Sequence, residues 1–255
     1  MGHRFAYLDS PTPLAFAHRG GLSGLENCAA AFAGAVALGY RYLELDVRAT
    51  ADGVLVVFHD EELDRVTDRS GRISALPYAK VARARIGGGE PIPLLEDVLG
   101  SFPDVRVNID VKDVSAVGPL VEVLRRTNAV DRVCVAAFSD RRVRMVGAAL
   151  GPRLCTASGP LGVAALRLAS YAGWPGSGFA GWRPCVQVPR RVGALRVVDR
   201  RFVEAAHERG VQVHVWTIDD PVVMGELLDL GVDGIMTDRP DVLRDVLVSR
   251  GRWHG

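Results

Sequence analysis

Short apolar runs alternate with longer amphipathic ones from one end of the chain to the other. Eight runs have the length and composition of strands buried on both faces: Leu14–His18, Tyr42–Val47, Val105–Val111, Val133–Phe138, Leu154–Ala157, Cys185–Val188, Val213–Thr217 and Gly234–Thr237. Between them the apolar positions recur at helical spacing in Glu26–Leu38, Val117–Arg126, Arg141–Leu150, Leu161–Ala169, Asp199–Arg209, Pro221–Leu230 and Asp241–Ser249. Ser139 and Asp199 stand where N-caps are expected, and Gly39, Gly151, Gly210 and Gly231 follow the last periodic residues. Eight strand–helix units predict an α/β protein with one (β/α)8 barrel domain over residues 1–255. The competing arrangement, an open doubly wound sheet, usually has fewer strands.

Two segments break the rhythm. After the second strand come the turn Asp52-Gly53, a further apolar run Val54–Phe58 and a loop-rich stretch ending at Pro91 and Pro93. This predicts a short insertion, 61–94, at the catalytic end of the barrel, too small for a large lid. The Gly87-Gly88-Gly89 run lacks dinucleotide-loop spacing and reads as a flexible stretch. Tyr171–Trp182, rich in glycine and aromatics, reads as a surface loop in which Trp174, Phe179 and Trp182 could form an apolar lip.

Composition narrows the class without naming a function. With 48% hydrophobic and 24% charged residues, the 255-residue chain can bury a full core. A net charge of +1 gives no nucleic-acid or membrane footprint, and the sequence leaves the oligomeric state open. Only Lys80 and Lys112 are lysines among 31 basic residues, so Lys112 stands out at a candidate anion site. Cys28, Cys134, Cys155 and Cys185 are far apart, form no C-x-x-C pair and fall mostly in apolar runs, as buried structural thiols do. The first residues do not resemble a signal peptide, no apolar stretch approaches a membrane span, and a reducing cytoplasm is expected.

The chemistry gathers at strand ends. His18 closes the first apolar run and His59 follows the extra run Val54–Phe58; Glu44 and Asp46 alternate along the second strand and so share one face. Asn108, Asp110 and Lys112 do the same on the third. Three inward carboxylates against one lysine leave excess negative charge, which favours a shared divalent cation over a simple salt bridge from Lys112. An acid, a base, a hard-cation site and Arg19 in so short a span fit metal-assisted phosphoryl chemistry. His214 reads as a satisfied interior histidine, and His3, His207 and His254 as surface residues. Glu26 either serves the site or favours its helix start; Asp60 either orients His59 or caps a turn; Trp216 contacts substrate or packs in the core.

The set resembles the glycerophosphodiester phosphodiesterase family from about Leu14 to Leu247. The likeness rests on His18-Arg19-Gly20, Glu26-Asn27, Glu44-Leu45-Asp46, Asp52-Gly53, His59-Asp60, the stretch holding Arg65, Thr67 and Gly71, and Ile109-Asp110-Val111-Lys112. It continues through Val215-Trp216-Thr217 and the run from Gly231 to Pro240. The resemblance implies a metal-dependent barrel hydrolase that splits a glycerophosphodiester into glycerol 3-phosphate and an alcohol. It implies Glu44, Asp46 and Asp110 as ligands of Ca²⁺ or Mg²⁺, with Mn²⁺ also admissible. It further implies Arg19 and Lys112 as the phosphate clamp, His18 and His59 as the acid–base pair, Trp216 as a substrate contact, and Glu26 and Asn27 as supports. The glycerol's own 2-hydroxyl is the implied attacker, giving a cyclic phosphate that water opens. Two departures stand out: the family's usual third Glu ligand is Asp110, and its Pro-Glu-Asn-Thr is Leu25-Glu26-Asn27-Cys28. Competing readings are a lysophospholipase D-like diesterase and a non-catalytic phosphate-binding barrel. The sequence does not order the two histidines.

Overall fold

The computed structural model describes residues 4–21, 25–172 and 182–255. β1 (Leu14–His18) is followed by α1 (Ala29–Ala37), β2 (Tyr42–Ala49) and β3 (Leu55–Val57). The insertion then contributes α2 (Tyr78–Val81) and the pair β4 (Arg85–Ile86) and β5 (Glu90–Pro91), before α3 (Leu95–Ser101). β6 (Arg106–Val111), α4 (Val117–Arg126), β7 (Val133–Ala136), α5 (Asp140–Leu150), β8 (Cys155–Thr156) and α6 (Pro160–Ala172) come next. The chain continues with β9 (Cys185–Pro189), the ribbon β10 (Arg191–Val192) and β11 (Leu195–Arg196), α7 (Arg200–His207) and β12 (Gln212–Trp216). It closes with α8 (Pro221–Asp229), β13 (Gly234–Thr237) and α9 (Pro240–Ser249).

Eight of these strands form the ring. They pair in the order β8-β7-β6-β2-β1-β13-β12-β9, all in parallel, while β3 adds to β2 antiparallel. One parallel bridge from Ala157 to Cys185 joins the two ends of that path and closes the barrel. The first strand lies against the last, with Leu14 opposite Gly234 and Ala17 opposite Thr237. All eight strand–helix units expected from the apolar pattern are therefore present, although the pattern supplied only seven of the helices.

Local chemistry explains the boundaries. Ser139 and Asp199 accept N-cap bonds from the Arg142 and Phe202 amides, and Asp220 caps α8 ahead of Pro221. The four glycines expected after helix ends all have positive φ. Three expectations need correction. α1 starts at Ala29 rather than Glu26, because Asn27 is in the left-handed region (φ 53) and ends any helical run. α3 occupies a stretch beyond the 61–94 insertion to which the apolar pattern assigned no helix: its apolar positions are few and two prolines precede it. The Gly87–Gly89 run is the turn of the β4–β5 hairpin, where Gly87 and Gly88 supply the positive φ a tight turn needs.

Two apolar layers lie between barrel and helices. One packs β2, β6 and β7 against α1, α3, α4 and α5; the other packs β9, β12 and β13 against α6 to α9. A third cluster fills the barrel floor, where Tyr7 and Leu8 plug the ring from below and Tyr42 donates its hydroxyl to the Tyr7 carbonyl (2.8 Å). A fourth gathers Val56, Phe58, Leu63, Ile73 and Ile86 with Cys28 and Ala31, so the insertion is packed onto the start of α1. Above the floor Asn108 and Gln187 exchange two hydrogen bonds across the interior (3.2 and 2.7 Å). Among the described residues no helix is long and apolar enough to cross a membrane.

Candidate active site

The C-terminal ends of β1, β2 and β6 deliver one compact group of charges. At the end of β1 the backbone turns sharply: Arg19 has φ 53, and Gly20 follows at φ +89. A Cβ on Gly20 would lie 2.6 Å from the Ala31 Cβ, so only glycine lets this loop press on α1. The turn aims the Arg19 amide at Glu44 Oε2 (3.1 Å). Asn27, also left-handed and buried, grips Asp46 twice: its Nδ2 donates to Oδ2 (2.9 Å) and its Oδ1 accepts from the Asp46 amide (3.2 Å). Non-glycine residues held at positive φ are the sort of local strain that gathers at functional sites.

Glu44, Asp46 and Asp110 are buried together, as strand alternation requires. Lys112 Nζ lies between two of them, 2.7 Å from Asp46 Oδ1 and 2.6 Å from Asp110 Oδ2. The salt-bridge alternative for Lys112 is thus realised, and with two acids rather than one. Arg19 Nε is 3.1 Å from Asp46 Oδ2, an ion-pair contact without hydrogen-bond alignment, and its Nη1 donates to Glu26 (3.1 Å). Burial opposes ionisation of Asp46, but Lys112 and Arg19 outweigh it and hold its pKa down. In Glu44 the balance is reversed: burial and repulsion from Asp46 outweigh His18 and Lys112 and push it up to about 7. Asp110 is also raised, chiefly by burial, and its Oδ1 is buried with no partner. The cations present leave this carboxylate set under-compensated. Three oxygen donors, one of them orphaned, are the donor chemistry of a hard divalent ion.

Each candidate histidine is pinned through Nδ1 by a carboxylate. His18 Nδ1 is 2.7 Å from Asp238 Oδ1, and His59 Nδ1 is 2.6 Å from Asp60 Oδ1. A carboxylate only accepts, so Nδ1 carries the proton in both rings and Nε2 is left to react. His18 Nε2 lies 3.8 Å from Glu44 Oε2. Burial lowers the His18 pKa, yet Glu44 and Asp238 outweigh it and the net shift is upward. In His59 burial prevails over Asp46 and Asp60, and the shift is downward. Arg65 forks between the two sides of the site. Its Nε donates to Asp60 (2.5 Å), and its Nη1 and Nη2 donate to Glu26 (2.9 and 2.6 Å).

Nearly all the residues singled out from the sequence therefore converge. Glu26 lies ahead of α1 and accepts from Arg19 and Arg65, and Asp60 accepts from His59 Nδ1. Trp216 is half-buried and edge-on to Phe138 at 5.6 Å between centroids, and Lys112 Nζ lies 5.9 Å from the centroid of the Phe138 ring. Asp238, Arg65 and Phe138 were not singled out, although the first two lie inside motifs the sequence displays. His214 is not the satisfied histidine expected: Nε2 lies 3.1 Å from Gln212 Oε1, but Nδ1 is buried without a partner. Tyr171 belongs to α6, which runs on to Ala172, and Trp182 packs on an apolar layer beside α7 instead of forming a lip. Trp174, Phe179 and His3 lie outside the described residues.

The model of the glycerophosphoryl diester phosphodiesterase family matches residues 18–156 and 182–242. The chain belongs to this family. "Probable glycerophosphodiester phosphodiesterase 2" of Mycobacterium tuberculosis is 45% identical over 249 residues, spanning 95% of this chain and 93% of that protein. The glycerophosphodiester phosphodiesterase of Caldanaerobacter subterraneus is 31% identical over 260 residues, 93% of this chain and 98% of its own. Among solved structures, an Oleispira antarctica phosphodiesterase in complex with the product sn-glycerol-3-phosphate superposes with a TM-score of 0.77 at 21% identity, covering 93% and 97% of the two chains. That last likeness bears on the fold alone, a TIM barrel. Family membership makes the chain a phosphoric diester hydrolase, a glycerophosphodiester phosphodiesterase.

Proposed function

We propose that this phosphodiesterase cleaves glycerophosphodiesters to glycerol 3-phosphate and an alcohol, in a cation-dependent reaction using His18 and His59 as its acid–base pair. The observation that carries the reading is the matched pinning of the two rings by Asp238 and Asp60 on either side of the carboxylate group. Sequence relatives bear the same activity in their names, and the product bound to the Oleispira protein is the one expected here.

Glu44, Asp46 and Asp110 would hold the divalent cation, Ca²⁺ or Mg²⁺, which supplies neutralisation of phosphate charge. Arg19 and Lys112 bind the phosphate oxygens; with two of its three N–H groups directed at Asp46 and Asp110, Lys112 keeps a third for substrate. One imidazole takes the proton of the attacking hydroxyl through Nε2 while the other gives a proton to the leaving alkoxide. Trp216 borders the glycerol, and Glu26 and Asn27 hold Arg19 and Asp46 in place. Residues 1–255 act as one barrel domain with the 61–94 insertion at its catalytic face.

The test is glycerol 3-phosphate release from glycerophosphocholine and glycerophosphoethanolamine with Ca²⁺, Mg²⁺, Mn²⁺ or EDTA. Release should require a cation and fall by roughly 10²–10⁴ in His18→Ala and in His59→Ala. Retained activity in either variant would overturn the assignment. Phe138, 65% exposed beside Trp216, offers an apolar ledge and favours one second reading, a lipid-bearing diester as substrate. Faster turnover of a lysophospholipid than of glycerophosphocholine would establish it.

A further inference from the structure

Below the carboxylates, with Cys134 level with Asn108, three cysteines remote in sequence meet in the barrel floor. Cys134 of β7, Cys155 of β8 and Cys185 of β9 present Sγ atoms that all lie within 4.8 Å of one another. All three are buried, and the Cys134–Cys185 separation is 3.9 Å. Two polar atoms beside them are buried with no partner: the Tyr7 hydroxyl and His214 Nδ1. Tyr7 belongs to the same floor cluster, and the His214 ring packs on Phe16 of that cluster, 5.0 Å between centroids. A buried polar atom without a partner is costly; two of them around three thiols mark a site that lacks its ligand.

We propose that Cys134, Cys155 and Cys185 form a second metal site that takes a thiophilic ion of the Zn²⁺ class. Tetrahedral zinc with sulfur at about 2.3 Å sets neighbouring sulfurs about 3.8 Å apart, close to the observed Cys134–Cys185 distance. The location gives the ion a structural task. β8 and β9 share a single bridge, the weakest seam of the ring, and the three cysteines straddle it. Sulfur donors below and oxygen donors above also keep soft and hard cations apart.

Cobalt reports such a site without reference to catalysis. The intact chain would be refolded from denaturant with Co²⁺ and then dialysed against EDTA to strip the carboxylate site. One Co²⁺ per chain should remain, with a thiolate-to-cobalt charge-transfer band and the visible bands of tetrahedral cobalt. The band should survive in Glu44→Gln and vanish in Cys185→Ser. Folded wild-type chain with no retained ion and no band overturns the proposal, whether its thiols then titrate as free or mass spectrometry finds a Cys134–Cys185 disulfide. Should Cys185→Ser fail to fold, the wild-type spectrum still decides.

Discussion

A carboxylate at Nδ1 fixes both the tilt of an imidazole and the nitrogen that carries its proton, as Asp238 does for His18 and Asp60 for His59. Asp60→Asn and Asp238→Asn should each lower kcat by roughly tenfold to a hundredfold with a smaller change in KM, read from steady-state kinetics on glycerophosphocholine. Asp60 also links the site to stability. Burial works against its charge, but Arg65 and His59 bring its pKa from 3.8 down to about 2. A depressed carboxyl stabilises the fold above its unfolded pKa and loses that contribution as pH falls through the folded value. Urea midpoints should therefore fall between about pH 4 and pH 2, and Asp60→Asn should flatten that part of the curve. Alternation along two strands made Glu44, Asp46 and Asp110 legible in the sequence. Asp238 was not, because its partner His18 is 220 positions away and nothing local ties one to the other.

Helix ends follow the same logic with different weights. Asp199 caps α7 and also grips the buried Arg167 with both oxygens (2.8 and 2.7 Å). Ser139 caps α5 through one long bond of 3.4 Å. Asp199→Ala should cost about 2 kcal/mol or more, since it removes a cap and leaves a buried guanidinium unpaired; Ser139→Ala should cost about 0.5 kcal/mol. Urea denaturation of the two variants measures the difference. Both caps were readable as Ser or Asp just ahead of a periodic run. α3 was not, for a seven-residue helix after two prolines carries too few apolar repeats to show its period.

At the scale of the molecule, a cation held by the carboxylate group would couple its binding to folding. Ca²⁺ or Mg²⁺ at a hundred times its Kd should stabilise the fold by about 2.7 kcal/mol, visible as a Tm rise that EDTA reverses. Glu44→Gln with Asp110→Asn should abolish the rise. The eight-fold alternation made the barrel legible, but not the meeting of Cys134, Cys155 and Cys185. Each reads alone as an apolar strand residue, and only closure of the ring brings the three strands' inner faces together. Closure also has an order in time. β1 carries His18 and Arg19, yet one of its two neighbours is β13, and the carboxylate that pins His18 comes just after that strand. On the ribosome the earliest barrel strand must wait with an open edge until residues 234–238 emerge. The newborn chain thus cannot pin His18 until residues 234–238 have been synthesised, and any product that stops short of β13 has an open barrel.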